Sequence, residues 1–468
     1  MPGGFSSLLW IALAVSVGLR VIGLDAAPRP SFDEGGWPLS VRQWALDGLI
    51  TYDFHTAPGY HLVLGAVFKL APPTMLTARI FSALIGLAAL PLFWWIARRL
   101  SDDARVAAWA TVILASANPA IDIARRALIE PIQMLWLLGV VGALTLAGPG
   151  TGTLVALLTA GLLLTKANAV VLLPVFAFSL WWDQNGLLRV RRTQKVGGLA
   201  VGVALAGLVF LMLYRLDPAT FVHGWGSTML KEFQPTLSPI VRAGRFVVDP
   251  RLALEGVKFL AAESPFLFAF GVVGAARTLR ERRLTIAGGW ILVLLPFLLL
   301  QVVQSPQYFS VLYPALALCA AALLVSAERL ESRRPGWAAI AVVVMVVEGL
   351  ARTSGALLST QRPDRPTVEF LRERVADSER VLAAPFVLMQ LRGPGTSLFE
   401  LGPEALVPTA AAVERLQANW IVLDRGEWQE RLRWIGIDSS TVADSLRDCC
   451  DLVHGDSHAW IYRKRAAP

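Results

Sequence analysis

The chain has 468 residues, of which 55% are hydrophobic and only 17% charged, and its mean hydropathy is +0.55. That balance excludes an ordinary soluble globular protein, because so much apolar surface has to be hidden in lipid. The net charge of +8 does not indicate a nucleic-acid partner either, since the surplus base lies in short loops between apolar runs.

The first apolar run, Phe5 to Leu24, is long enough to cross a bilayer core, which takes about 20 residues. The leader Met1-Pro2-Gly3-Gly4 carries no lysine or arginine and no clear cleavage site follows, so the run is expected to be a retained helix rather than a signal peptide. Beyond it comes Ser31-Phe32-Asp33-Glu34-Gly35-Gly36-Trp37. Two adjacent carboxylates where a helix leaves the membrane fit either a solvated turn or a functional loop, and acids this close to lipid usually have a job. A helical stretch around Pro38–Leu49 follows, then Asp53-Phe54-His55-Thr56-Ala57-Pro58-Gly59-Tyr60.

Further spans are expected near 75–97, 105–121, 131–147, 152–165, 167–183, 196–214, 262–279, 284–302, 308–327 and 336–351, making about eleven transmembrane helices in all. The segment 57–71, with His61 and Lys69 and prolines at its ends, suits a helix lying in the interface. With 57–71 not crossing, four arginine clusters (98, 99 and 105; 189–195; 277–283; 329–334) fall on one side. Basic short loops mark the cytoplasmic face. The loops 25–74, 122–130 and 215–261 are then extracytoplasmic, as is the tail.

The membrane part is expected to end near 355. From Thr360 the chain becomes polar, with a helix-like Thr367–Ala376, an apolar run at Arg380–Ala384, an amphipathic Ala410–Leu416 and strand-like Trp420–Leu423 and Ala459–Tyr462. This alternation predicts a small extracytoplasmic α/β domain over 360–468, large enough for a core of its own. Cys319 lies in a span, while the adjacent Cys449 and Cys450 leave a strained vicinal disulfide and two free thiols both open. No Cys/His spacing suits a metal.

The chemistry-bearing residues belong to loops on one side. The second loop has Asp122, Arg125, Arg126 and Glu130-Pro131, the turn Leu164-Thr165-Lys166 puts a lysine between two apolar runs, and Gln304-Ser305-Pro306-Gln307-Tyr308 leads to Tyr313-Pro314. A cation at a span end is often a snorkelling anchor, but here cations, carboxylates, a histidine and tyrosines share one face.

In this order the features resemble the GT-C superfamily of membrane glycosyltransferases that take sugar from a polyprenyl-phosphate carrier, in particular the branch of protein O-mannosyltransferases and the aminoarabinose–lipid A transferase. The resemblance covers about residues 1–350. It rests on Asp33-Glu34, His55 to Tyr60, Arg79, Arg126 to Glu130-Pro131, Leu164-Thr165-Lys166 and Tyr308 to Pro314. The chain departs from the family pattern in Ala57 for the first proline of a pair, Trp37 where tyrosine is common, and Glu130 where several members have aspartate.

The resemblance implies transfer of a sugar from the lipid-linked donor to an acceptor hydroxyl on a lipid, glycan or protein, in the cell membrane. The leaving phosphate needs its charge held, a task suited to Arg126, Lys166 and His55. The acceptor needs a base. Asp33 is the candidate, with Glu34 orienting it or holding the acceptor. Glu130 is expected to position the acceptor or pair with Arg126, and Tyr60, Gln307 and Tyr308 to position substrate. A single displacement inverts the anomeric centre. No cofactor is implied with certainty, though Asp33 and Glu34 have the chemistry to bind a divalent cation. A lipid-linked-glycan flippase would carry its polar residues near mid-span, whereas here they lie at span ends. A scaffold subunit, the other alternative, would tolerate loss of Asp33.

Overall fold

A computed structural model describes residues 3–25, 32–47, 58–182, 186–216, 218, 241–242, 245–246, 250–281, 284–299, 306–330, 336–358, 365–376, 378–391, 395–397, 410–425, 429 and 439–465. The apolar runs fold as helices because in lipid a helix satisfies every backbone polar group within itself. The first are α1 (Gly3–Val21), α2 (Phe32–Asp47), α3 (Pro58–Leu70), α4 (Met75–Ser101), α5 (Ala104–Ser116), α6 (Asn118–Arg125), α7 (Glu130–Leu144), α8 (Thr151–Thr165) and α9 (Leu173–Trp182). Further helices follow, including Arg192–Leu216, Pro265–Arg280, Thr285–Leu299, Tyr313–Leu330 and Trp337–Leu358.

Among the described residues, four helices are by themselves long and apolar enough to cross a membrane: Met75–Ser101, Arg192–Leu216, Gln307–Leu330 and Trp337–Leu357. Two bent pairs pass the same test jointly, α5 with α6 at 57° and Leu254–Glu263 with Pro265–Arg280 at 116°. Five shorter apolar helices, Trp10–Val21, Glu130–Leu144, Thr151–Thr165, Ala169–Trp182 and Thr285–Leu299, lie at other expected positions. Four to six spans among the described residues thus meet the test of length and composition, against the eleven expected. α3 has 13 residues, a length of about 20 Å against the roughly 30 Å of a bilayer core. Part of the expected loop 122–130 is helical. Pro119 at the first turn of α6 cannot continue the α5 hydrogen-bond ladder, and a new helix starts there at an angle.

The chain divides into two compact units, one formed by Met1–Ile22, Thr51–Val63 and Ile80–Leu358, the other by Gly23–Ile50, Leu64–Arg79 and Ser359–Pro468. In the first unit the core runs through the helices around Trp109, Phe93, Phe176 and Tyr313, all nearly fully buried. Arg192–Leu216 lies so close to α8 that a Cβ at Gly198 would stand 2.4 Å from the Gly152 carbonyl oxygen, and one at Gly202 2.6 Å from that of Ala156. Small residues four apart on both helices give the close backbone approach by which helices adhere in lipid. At the arginine-rich end, Arg99 bonds Thr145 at the close of α7 (3.0 and 3.1 Å), Arg105 pairs with Glu328, and Arg329 pairs with Asp103. Glu130 opens α7, so it and Thr145 mark opposite ends of the same helix.

The second unit holds a five-stranded sheet in the order β4 (Gly395–Ser397), β3 (Val381–Ala383), β5 (Trp420–Asp424), β7 (Ala459–Lys464), β6 (Cys450–Gly455). A separate two-residue pair, β1 (Val241–Arg242) and β2 (Arg245–Phe246), precedes it in the chain. β3 pairs parallel with β4 and β5, and β7 antiparallel with β5 and β6. β5 is buried along its whole length, as a strand covered on both faces must be. Leu382, Ile421, Leu423, Val442, Leu446 and Tyr462 form its core. Cys449 and Cys450 are free thiols, and burial pushes the Cys450 thiol up to about 12. α2 docks on the tail here. Arg42 donates from Nη1 to the Leu388 and Leu391 carbonyls at 3.2 and 2.9 Å, and Gly35 leaves room for Phe386, whose backbone nitrogen would stand 2.4 Å from an added Cβ.

Candidate active site

In the first unit the site is built from helix ends. α8 stops at Lys166, whose backbone is extended (φ −153°, ψ 108°), and a 3₁₀ turn, Ala167–Leu172, carries the chain on. This break leaves the lysine at the helix terminus instead of within the apolar face of a continuous helix. α6 stops at Arg126, also extended (φ −97°, ψ 149°), and α7 starts at Glu130-Pro131. Proline is preorganised for a first turn, and an acid there faces the positive end of the helix dipole.

These ends meet. Lys166 Nζ lies 2.8 Å from Glu130 Oε1, the two side chains being 13% and 4% exposed. The same ammonium stands 4.9 Å from the centre of the Tyr308 ring, within the range in which a ring face attracts a cation. The other carboxylate oxygen, Glu130 Oε2, is buried with no hydrogen-bond partner among the described residues. Tyr60, fully buried at the start of α3, donates its hydroxyl to the Ala127 carbonyl at 3.3 Å. Beside it, Gly59 is pressed against the end of α8, where an added Cβ would lie 2.7 Å from Thr165 Oγ1. Gln307 is half-buried, and its carbonyl accepts from the Ser310 hydroxyl at 2.7 Å.

Sequence reasoning offered Arg126 as a partner for Glu130. The structure gives Glu130 to Lys166 and pairs Arg126 with Asp122 at 3.0 Å across one helical turn. The four-residue spacing of Asp122 and Arg126 was the available signal. Arg125 has a different task, donating to the Leu19 and Ile22 carbonyls (2.7 Å for Ile22) and tying α6 to the end of α1. His61, on α3 next to Tyr60, is held neutral, since burial drives it down to about 3.

In the second unit, Asp33 and Glu34 lie in the first turn of α2. The Asp33 side chain and the whole of His55 fall outside the described residues. Glu34 is fully buried and its Oε1 accepts from Arg79 Nε at 2.5 Å, while Arg79 Nη1 donates to the Leu24 carbonyl at 2.9 Å. This fixed pair joins the end of the first helical segment, the start of α2 and the start of α4. Sequence reasoning singled out both residues but not their pairing, because 45 positions separate them. Among the described residues no group of three or more His, Cys, Asp and Glu lies together as metal ligands would.

Comparison with known proteins bears out the resemblance read from the sequence. Residues 65–213 match the family described as dolichyl-phosphate-mannose-protein mannosyltransferase. Over the whole chain the structure is similar to crystal structures of ArnT from Cupriavidus metallidurans. The one bound to undecaprenyl phosphate gives a TM-score of 0.66 at 17% identity, covering 100% of this chain and 99% of that one. The apo form gives 0.67 at 16% identity, covering 98% of each. The chain has the GT-C glycosyltransferase fold. It is similar also to the archaeal oligosaccharyltransferase AglB from Archaeoglobus fulgidus in complex with an inhibitory peptide and a dolichol-phosphate, with a TM-score of 0.56 at 12% identity over 90% of this chain and 69% of that one. No curated protein sequence matches the chain.

Proposed function

We propose that this membrane protein transfers a sugar from a polyprenyl-phosphate carrier to an acceptor hydroxyl at the extracytoplasmic face, with inversion, through eleven spans and an extracytoplasmic α/β domain over 360–468. The observation that carries the reading is the buried Glu130–Lys166 pair beneath Tyr308, in a fold shared with an undecaprenyl-phosphate-bound enzyme structure.

A glycosyl phosphate is already activated, so the demand on the protein falls on the departing phosphate and the attacking hydroxyl. Lys166 supplies a movable ammonium, and Glu130 holds it where α8 ends. When phosphate enters, the ammonium is shared between carboxylate and phosphate oxygens. Arg126 adds a planar fork suited to two phosphate oxygens, and His55 a further donor. Growing negative charge on the bridging oxygen is stabilised by cations already in place, which is the form of electrostatic catalysis that costs little reorganisation. Asp33 takes the acceptor proton as the hydroxyl attacks the anomeric carbon from the side opposite the phosphate. Glu34, locked to Arg79, fixes the helix on which Asp33 is carried. Glu130 Oε2 accepts a hydrogen bond from substrate, while Tyr60, Gln307 and Tyr308 shape the cavity wall.

The test is transfer by purified protein from a panel of polyprenyl-phosphate sugars, following both glycosylated product and released carrier phosphate. Asp33→Asn keeps size but removes basicity, and should lower turnover about 100-fold or more while donor binding survives. Near-normal turnover of that variant would remove Asp33 from the mechanism. Sidedness is tested separately. Alkaline phosphatase fused after Thr360 should be active, and an inactive fusion, with a cytoplasmic reporter working at the same site, would overturn the arrangement.

A further inference from the structure

The first unit contains a small cavity of about 20 Å³ where α1, α4, α5, α6 and α7 meet. Its charged member is Arg20, in the last turn of α1. The rest of the wall is apolar and includes Gly86, Leu90, Leu114, Ile123 and Met134. A cation that anchors a helix end carries its head into water, but Arg20 is only 2% exposed. Its Nη1 donates to the Ser16 carbonyl at 3.0 Å and to the Ala115 carbonyl at 2.7 Å. Ala115 lies in the last turn of α5, and a helix end of that kind favours a cation without carrying a full charge. The buried Nε has no hydrogen-bond partner among the described residues, and none of the described residues lining the cavity is an acid. Two neutral carbonyls therefore orient the guanidinium, while a charge held in an apolar interior calls for a counter-charge.

We propose that this cavity binds one small monovalent anion, of the size of chloride, on the Arg20 guanidinium. Size and wall chemistry select the occupant. About 10–15 Å³ admits one water, so a cavity of about 20 Å³ takes a single particle of that order and excludes a phosphate, a sulfate or a lipid headgroup. A buried water needs roughly two to four polar partners, and the side chains of this wall offer it one. A halide needs only the donors of a cation and tolerates apolar neighbours. Pro131, on the same wall, follows Glu130 in the chain, so the anion adjoins the first turn of the helix that carries that carboxylate. The proposal does not depend on the glycosyl-transfer reading, and its test needs no turnover.

Purified full-length protein is exchanged, at constant ionic strength, into sodium chloride, sodium bromide or sodium gluconate, whose anion is too large for the cavity. Thermal unfolding should shift upward by a few degrees in chloride and bromide relative to gluconate, and the shift should saturate as halide rises. Arg20→Met keeps the length of the side chain and removes its charge, and should melt alike in all three salts. Crystals of the parent grown in bromide should show an anomalous peak against the Arg20 guanidinium. That map needs no variant, so it decides the matter if Arg20→Met does not fold. Equal melting of the parent in the three salts, or a halide shift that rises without saturating or persists in Arg20→Met, would overturn the proposal. So would a water alone beside Arg20, with no anomalous peak.

Discussion

The two units each contain a buried glutamate paired with a cation from a distant part of the chain, and the two pairs are built for different work. Glu34 and Arg79 are sealed, 0% and 1% exposed, with a second arginine nitrogen spent on the Leu24 carbonyl. Glu130 and Lys166 are less enclosed. The cation is a flexible ammonium instead of a fixed fork, and it lies over an aromatic face. A pair sealed from solvent and tied to a backbone carbonyl fixes a backbone, whereas a less enclosed pair with a movable cation can take a ligand. The first is read as a lock on the helix bearing Asp33, the second as a grip.

The largest effect should come from opening the lock. Removing one partner of a buried pair leaves an uncompensated charge, at a cost of about 3–5 kcal/mol. Arg79→Met should therefore lower thermal stability strongly. Glu34→Leu combined with Arg79→Met should recover much of the loss, because no charge then remains buried. Thermal unfolding of the purified variants makes the comparison, and a single variant that melts like the parent would show that the pair is not a lock.

Opening the grip should act on turnover more than on folding. Lys166→Ala should cut turnover by about 100-fold, the scale of losing one preorganised group at a developing charge, and should also weaken donor binding. Glu130→Gln keeps shape and leaves Lys166 without its counter-charge. It should disturb turnover more than donor affinity, since the lysine is freer to pair with phosphate in the ground state but is no longer aimed. Measuring kcat and donor affinity in both variants distinguishes the roles. Unchanged donor affinity and turnover in Lys166→Ala would make that lysine a membrane anchor.

This contrast also marks how far the sequence could be read. The helices were legible because lipid demands long apolar runs. Lys166 and Glu130 were legible as residues because each interrupts such a run at its end. Their pairing was not, since nothing in one sequence says which of Arg126 and Lys166 Glu130 faces. The Asn118-Pro119 break was the missed sign that a new helix, α6, starts inside the expected span and runs into the expected loop. In the tail, β5 and β7 stood out as apolar runs, but β6 carries Leu452 and Val453 outward at a sheet edge, so its pattern lacks the alternation by which a half-buried strand is recognised.

The smallest expected effect concerns Tyr60, which joins neither pair directly. Its hydroxyl donates to the Ala127 carbonyl at 3.3 Å, at the long end of the hydrogen-bond range, and its ring is wholly buried. A neutral hydrogen bond of this kind contributes about 0.5–1.5 kcal/mol. Tyr60→Phe keeps the ring and removes the hydroxyl that makes that bond. It should lower stability slightly and shift turnover by no more than a few fold, by loosening the segment between Arg126 and Glu130. If Tyr60 acts only by holding this segment, its effect should shrink once the grip is already open. In a double-mutant cycle with Lys166→Ala, the turnover losses should then be less than additive. Full additivity would mean that the hydroxyl acts on substrate independently of the Glu130–Lys166 pair, and would move Tyr60 from the supporting wall into the substrate contacts.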